Sequence, residues 1–279
     1  MNALRHAGTA GLALVVVTLA GVYWHAAQSE ERVPLPPRPA ARACDRSTFR
    51  VMVDVGHTVE HPGAMSARGT TEYEFNLYLG QDIEQALIDA GFRLTKLLIT
   101  DAGPPQGLFQ RVERANAWRA DLFIAVHHDS VPDNLLKTWQ FAGQEEHYND
   151  DYPGYALFVS NDNADRSGSL AFAHLLGKAL QARGLQYTPH YTLPIMGHRR
   201  RELLDADAGV YRYDALVVLR HTHMPAVLLE AGSIVNREEG LELVSVERRA
   251  LTSAAVASAV ADFCATRSRG RATRLTPAR

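Results

Sequence analysis

Three short segments, far apart in the chain, each read as an apolar strand that stops on a residue able to bind a metal or move a proton. They run Arg50-Val51-Met52-Val53-Asp54-Val55-Gly56-His57, Leu122-Phe123-Ile124-Ala125-Val126-His127-His128 and Ala226-Val227-Leu228-Leu229-Glu230-Ala231-Gly232. In an open parallel sheet, ligands bind in the crevice beyond the carboxyl ends of the strands. If the three strands lie side by side, two imidazoles and a carboxylate meet there. With one further carboxylate, that set is the donor chemistry of a hydrolytic zinc site.

Between these segments strand and helix patterns alternate. Helical apolar spacing over Phe75–Ala90 closes on Gly91, and Arg93–Ile99 reads as a strand. Gln110–Arg119 reads as a helix, Tyr155–Val159 as a strand, Ser169–Arg183 as a helix, Val217–Leu219 as a short strand and Val246–Cys264 as a final helix. The alternation predicts a single α/β catalytic domain. Its sheet is mostly parallel and twisted, with helices on both faces and the zinc site at the C-terminal ends of the strands.

The ends of the chain carry other signals. An apolar run from Ala7 to Trp24 follows Arg5 and His6 and ends on interfacial aromatics, Tyr23 and Trp24. It is longer than a signal-peptide core and lacks a good cleavage site, so residues 1–29 read as an uncleaved membrane anchor rather than a removed signal. Pro34, Pro36, Pro37 and Pro39 make residues 30–43 an extended linker. The catalytic domain is then 44–265, and the arginine-rich residues 266–279 read as a disordered basic tail. Export predicts an oxidising compartment. There the two cysteines, Cys44 and Cys264, which bracket the domain, are expected to form a disulfide. A formal net charge of -2 argues against binding nucleic acid through bulk charge.

The residues alone leave some choices open. Glu60, Glu72 and Glu74 all compete to be the second carboxylate, and adjacent His127 and His128 should point to opposite sides of a strand. Asp54 is a candidate acceptor that orients an imidazole. Glu230, inside an apolar strand, is either an ion-pair partner of Arg199, Arg200, Arg201 or Arg220, or a general base with a raised pKa.

Read in order, these blocks resemble the zinc-dependent N-acetylmuramoyl-L-alanine amidase family, the type 3 peptidoglycan amidases. The matching residues are Val53-Asp54-Val55-Gly56-His57, Gly63-Ala64, Gly69, Glu72, Asn76-Leu77, Arg111, Ala115-Asn116, Ala120-Asp121-Leu122-Phe123, Val126-His127, Pro225 through Gly232, and Asn236. The resemblance implies that His57, Glu72 and His127 hold Zn2+ and that Glu230 is the catalytic base. It implies cleavage of the bond between N-acetylmuramic acid and L-alanine, with peptidoglycan or muropeptides as partners. The setting is the periplasm-facing cell envelope, where the N-terminal segment meets the inner membrane. Asp54, Asn76, His128 and Arg220 are expected to support the site or touch substrate. Thr58-Val59, His128-Asp129 and Ser233 depart from the family pattern around the groove, and the acidic Val131–Pro153 segment is long enough to lie over it as a lid. Two other readings are a zinc carboxypeptidase that trims wall peptides and a non-catalytic wall-binding module.

Overall fold

The computed structural model describes residues 44–274. The anchor and linker expected at 1–29 and 30–43 lie outside the described residues. Among the described residues, no helix is long and apolar enough to cross a membrane.

Strands β1 (Arg50–Val55), β2 (Leu94–Leu98), β3 (Leu122–Asp129), β6 (Ala156–Val159), β7 (Leu203–Asp205), β8 (Val210–Arg212) and β9 (Ala226–Ser233) form one sheet in the order β2-β1-β3-β9-β6-β8-β7. A separate hairpin pairs β4 (Lys137–Phe141) with β5 (Gln144–Tyr148). Strands β2, β1, β3 and β9 are mutually parallel, and β6 runs antiparallel to β9. The reversal follows from the connection. Parallel neighbours need a crossover, usually a helix. Between β3 and β6 the chain makes a short 3-10 turn and a hairpin but no crossover helix, so it enters β6 from the end where β3 finished and must run back.

The long helices are α1 (Glu72–Asp89), α2 (Gln106–Trp118), α3 (Arg166–Gln181) and α6 (Val246–Arg274); α4 (Val217–His221) and α5 (Glu239–Val244) are short. Side chains alternate across the central strands with a period of two. Val51, Val53, Ile124, Val126, Val227 and Leu229 pack with Leu79 and Ile83 of α1, Phe172 of α3 and Val256 of α6. Met52, Phe123, Ala125 and Leu228 face the other way, onto Val112 of α2 and Leu219 of α4. Burial on both faces explains why these strands read as continuous apolar runs.

Three sequence expectations change. Val217–Leu219 is the first part of helix α4, because three apolar residues cannot distinguish strand from helix. The last helix continues to Arg274, so the backbone of 266–274 is helical where a disordered tail was expected. Arginine and alanine favour helix, and no proline intervenes before Pro277. The Val131–Pro153 segment carries the β4–β5 hairpin. Its two-residue turn, Ala142-Gly143, has φ of 50° and 82°, the positive values that match a primed turn to strand twist.

Cys44 and Cys264 are disulfide-bonded, with Cα atoms 5.4 Å apart across a sequence separation of 220. The bond joins the segment leading into β1 to α6. We expect Cys44→Ser to lose on the order of 2–5 kcal/mol of stability, through the entropy of opening a long loop. Its activity per folded molecule should stay at the wild-type level. Thermal melts together with specific activity check this, and an unchanged melt would show that the bond contributes little.

Candidate metal centre

The loop before α1 decides which glutamate faces the crevice. Thr71 caps α1: the Glu74 backbone N–H donates to Thr71 Oγ1 at 3.3 Å, and the Thr71 N–H donates to Glu74 Oε2 at 3.0 Å. This capping box occupies Glu74 at the helix surface. Glu72, the first residue of the helix, is left to turn inward and is buried. Glu60 is exposed.

His57 follows β1 with a left-handed backbone, φ 69°, which costs a non-glycine residue roughly 1–2 kcal/mol. Arg111 of α2 holds it there. Its Nη2 donates to the His57 carbonyl at 2.6 Å, while Nη1 bonds the Asp54 carboxylate and the Val55 carbonyl. Asp54 therefore does not bond an imidazole, as the sequence had suggested. It is an even-numbered residue of β1 and faces α2 with Met52, so it meets Arg111 and acts on His57 through that guanidinium. Asp54 and Arg111 are both buried, and removing one member of such a pair leaves an uncompensated charge.

At the end of β3 the two histidines separate. His127 Nδ1 lies 2.9 Å from Glu72 Oε1, and His57 Nε2 lies 3.0 Å from Glu72 Oε2. His128 turns towards α1, where its Nδ1 sits 2.8 Å from Asn76 Oδ1. Asn76 in turn donates to Glu72 Oε1 at 3.4 Å and to the Gly56 carbonyl at 3.3 Å. Burial lowers the His128 pKa to about 3, so it is neutral at ordinary pH and acts as part of the packing under Glu72.

One donor atom from each of His57, Glu72 and His127 falls within 4.8 Å of the others. In a tetrahedral site with bonds of about 2.0–2.1 Å, donors stand about 3.3 Å apart, so this set fits a small divalent ion. Burial works to raise the Glu72 pKa, but the contacts with His127 and His57 outweigh it and hold the carboxyl well below its usual range. Two glycines leave room for the set. A Cβ on Gly56 would stand 2.4 Å from the His127 ring, and one on Gly63 would stand 2.4 Å from Glu72 Oε2.

Glu230 of β9 lies directly across from His127 in the β3–β9 ladder. Its Oε2 is buried with no hydrogen-bond partner among the described residues. Burial, reinforced by the negative charges of Asp129 and Glu72, pushes its pKa well above the carboxylate range, and Arg199 opposes the rise. Asp129 shares this environment. Burial lifts it to about 7, against a hydrogen bond from Tyr191 Oη at 2.7 Å. Beside it, buried His190 stacks on Tyr191 at 4.2 Å between ring centroids, with Nε2 3.7 Å from Asp129 Oδ2.

Arg220 does not belong to this group. It sits on α4 and pairs with Asp162 at 3.5 Å. Asp162 follows β6, which runs away from the crevice, so Arg220 lies towards the opposite end of the sheet. The sequence placed Asp129 at the groove only through the family pattern, and missed Tyr191 and His190, which fall in a short 3-10 turn without a motif. Arg199, which ends the next such turn, had been noted only as a cation available to a carboxylate.

Comparison with known proteins gives a consistent picture. Residues 51–262 match the family model described as N-acetylmuramoyl-L-alanine amidase. An uncharacterized protein of Bacillus subtilis strain 168, YqiI, is 25% identical over 226 residues, spanning 81% of this chain and 90% of its own. The crystal structure of an N-acetylmuramoyl-L-alanine amidase from Clostridium difficile 630 aligns with a TM-score of 0.58 at 17% identity, over 78% of this chain and 97% of that one. The catalytic domain of CwlV, an amidase of Bacillus (Paenibacillus) polymyxa, aligns with a TM-score of 0.56 at 23% identity, over 77% and 97%. At these identities the structural likeness speaks for the fold.

Proposed function

The chain belongs to the N-acetylmuramoyl-L-alanine amidase family and is a peptidoglycan hydrolase; from that premise we propose that His57, Glu72 and His127 hold zinc and that Glu230 is its general base and acid. The observation that carries the proposal is the placement of Glu230 across from His127, with Glu72 touching both imidazoles. Two neutral imidazole nitrogens and one carboxylate are the donor set that zinc takes in hydrolytic sites while one position stays open. When bound, zinc supplies Lewis-acid polarisation of the amide carbonyl and acidifies water.

The protein's own groups do the rest. Arg111 presents His57 by fixing the backbone that carries it. Asn76 and His128 brace Glu72 from below. Glu230 takes a proton from the attacking water and passes it to the amine nitrogen of the departing L-alanine. Burial raises the Glu230 pKa above the ordinary carboxylate range, which suits a group that must hold the proton between the two transfers. The bond broken joins the lactyl carbonyl of N-acetylmuramic acid to L-alanine.

The disulfide supports an oxidising compartment. We place the domain in the cell envelope, tethered to the inner membrane by residues 1–29, whose apolar run Ala7–Trp24 supports that reading. Mass spectrometry of muropeptides after digestion tests the chemistry. Release of the intact stem peptide is the expected result. A stem shortened at its carboxyl end indicates the carboxypeptidase reading, and unchanged muropeptides indicate the non-catalytic one.

A further inference from the structure

The crevice is an acidic place to bind an acidic substrate. Glu72, Asp129 and Glu230 all bring buried carboxyls to it. Stem peptides carry carboxylates of their own, and like charges in a dry site repel. Something cationic must face the incoming peptide.

Arg199 is placed to do so. It ends the 3-10 stretch Pro194–Arg199, two residues after Gly197, whose φ of 52° turns the chain there. Its Nη1 donates to the carbonyl of Ser130, just beyond the end of β3, at a long 3.5 Å. Its charge reaches Glu230, Asp129, His190 and Tyr191. Yet it is half-buried and has no ion pair among the described residues. The contrast with other arginines is direct: Arg212 pairs with Glu202 and Asp214, Arg237 with Asp150, and Arg249 with Asp82. A guanidinium has five N–H donors in a fork that fits a carboxylate bidentately. Arg199 uses one of them, weakly.

We propose that Arg199 is the subsite for a stem-peptide carboxylate, so that the enzyme prefers stems with a free acid over stems amidated at that position. The inference rests on the amidase reading and adds the substrate's chemical class to it. A charge-assisted bidentate contact is lost when the acid becomes an amide, which predicts about a tenfold to hundredfold preference.

The test uses the full chain loaded with zinc and two synthetic muramyl peptides, identical except that the residue after L-alanine carries a free carboxylate or a carboxamide. Wild type should cleave the acid with the higher kcat/KM. In Arg199→Ala the ratio of the two should fall to near one, chiefly through KM for the acid. Arg199→Lys should regain part of it as a point charge without the fork. Because the readout is a ratio, partial misfolding does not mimic the effect. A wild type that cleaves both equally, or an Arg199→Ala that slows both in proportion, overturns the subsite; the second result would make Arg199 a partner of Glu230 instead. Cleavage of neither peptide by wild type overturns the amidase reading itself, and the subsite with it.

Discussion

Glu230→Gln is expected to fold, to keep its metal and to turn over about 10²–10⁴-fold more slowly than wild type. Glutamine keeps the shape of the side chain but cannot accept and return a proton. The fold should tolerate the change. Wild-type Glu230 is a buried carboxylate facing Asp129 and Glu72, with one oxygen unbonded. Removing its charge relieves repulsion, so the variant should melt at or above the wild-type temperature. The measurement is kcat on a defined muropeptide, with thermal melt and metal content determined on the same preparation. Activity within a few-fold of wild type would make Glu230 a structural carboxyl and sink the proposed proton transfers.

The second large effect is on the metal. We expect wild type to carry about one zinc per chain, and His57→Ala and His127→Ala each to lose it, because two remaining donors do not make a closed set. His128→Ala should retain zinc, since His128 bonds Asn76 on the α1 side and offers nothing to the cluster. Its cost should fall mainly on stability, as a truncated buried side chain, with any loss of metal affinity coming through the loosened Asn76 contact with Glu72. Gly56→Ala is a sharper variant. It replaces no ligand residue, yet its methyl would stand 2.4 Å from the His127 ring and must push that ring aside. Elemental analysis of the purified variants reads all four. Full zinc in His127→Ala together with loss in His128→Ala would show that the other imidazole is the ligand.

The parallel half of the sheet was legible because both faces of β1, β3 and β9 are covered, which leaves an unbroken apolar signature in the chain. The strand-end residues were legible for the same reason: His57, His127 and Glu230 are polar groups that end or interrupt such runs. The choice of Glu72 over Glu74 came from the family pattern, although a physical signal lay in the sequence. Thr71 with Glu74 three residues on is a capping box, and it commits Glu74 to the helix end. The hairpin was hidden by its composition. Gln144-Glu145-Glu146 has no strand propensity, and the hairpin is held by Trp139, Phe141 and Tyr148 stacking with Arg68 and Arg237, contacts made across the fold. The partners of Asp129 were hidden more deeply. Tyr191 lies 62 residues away in sequence, so nothing local announces the hydrogen bond. The role of Asp54 was not legible from its strand alone, because it shares the face of β1 that carries Met52 and meets Arg111 of α2 there.

The covalent link between Cys44 and Cys264 makes the domain a closed ring rather than a string. A single backbone cut inside the ring therefore releases nothing. A nick at the Ala142-Gly143 turn, for example, leaves two pieces still joined through sulfur, and the β3–β9 ladder that carries the crevice spans both of them. The same closure holds the two edges of the domain, at Cys44 and Cys264, within 5.4 Å of each other, so a cut at that turn need not move any strand of the main sheet. Cleaved in this way, the chain keeps His57, Glu72 and His127 on one piece and Glu230 on the other, with the two still bound to each other.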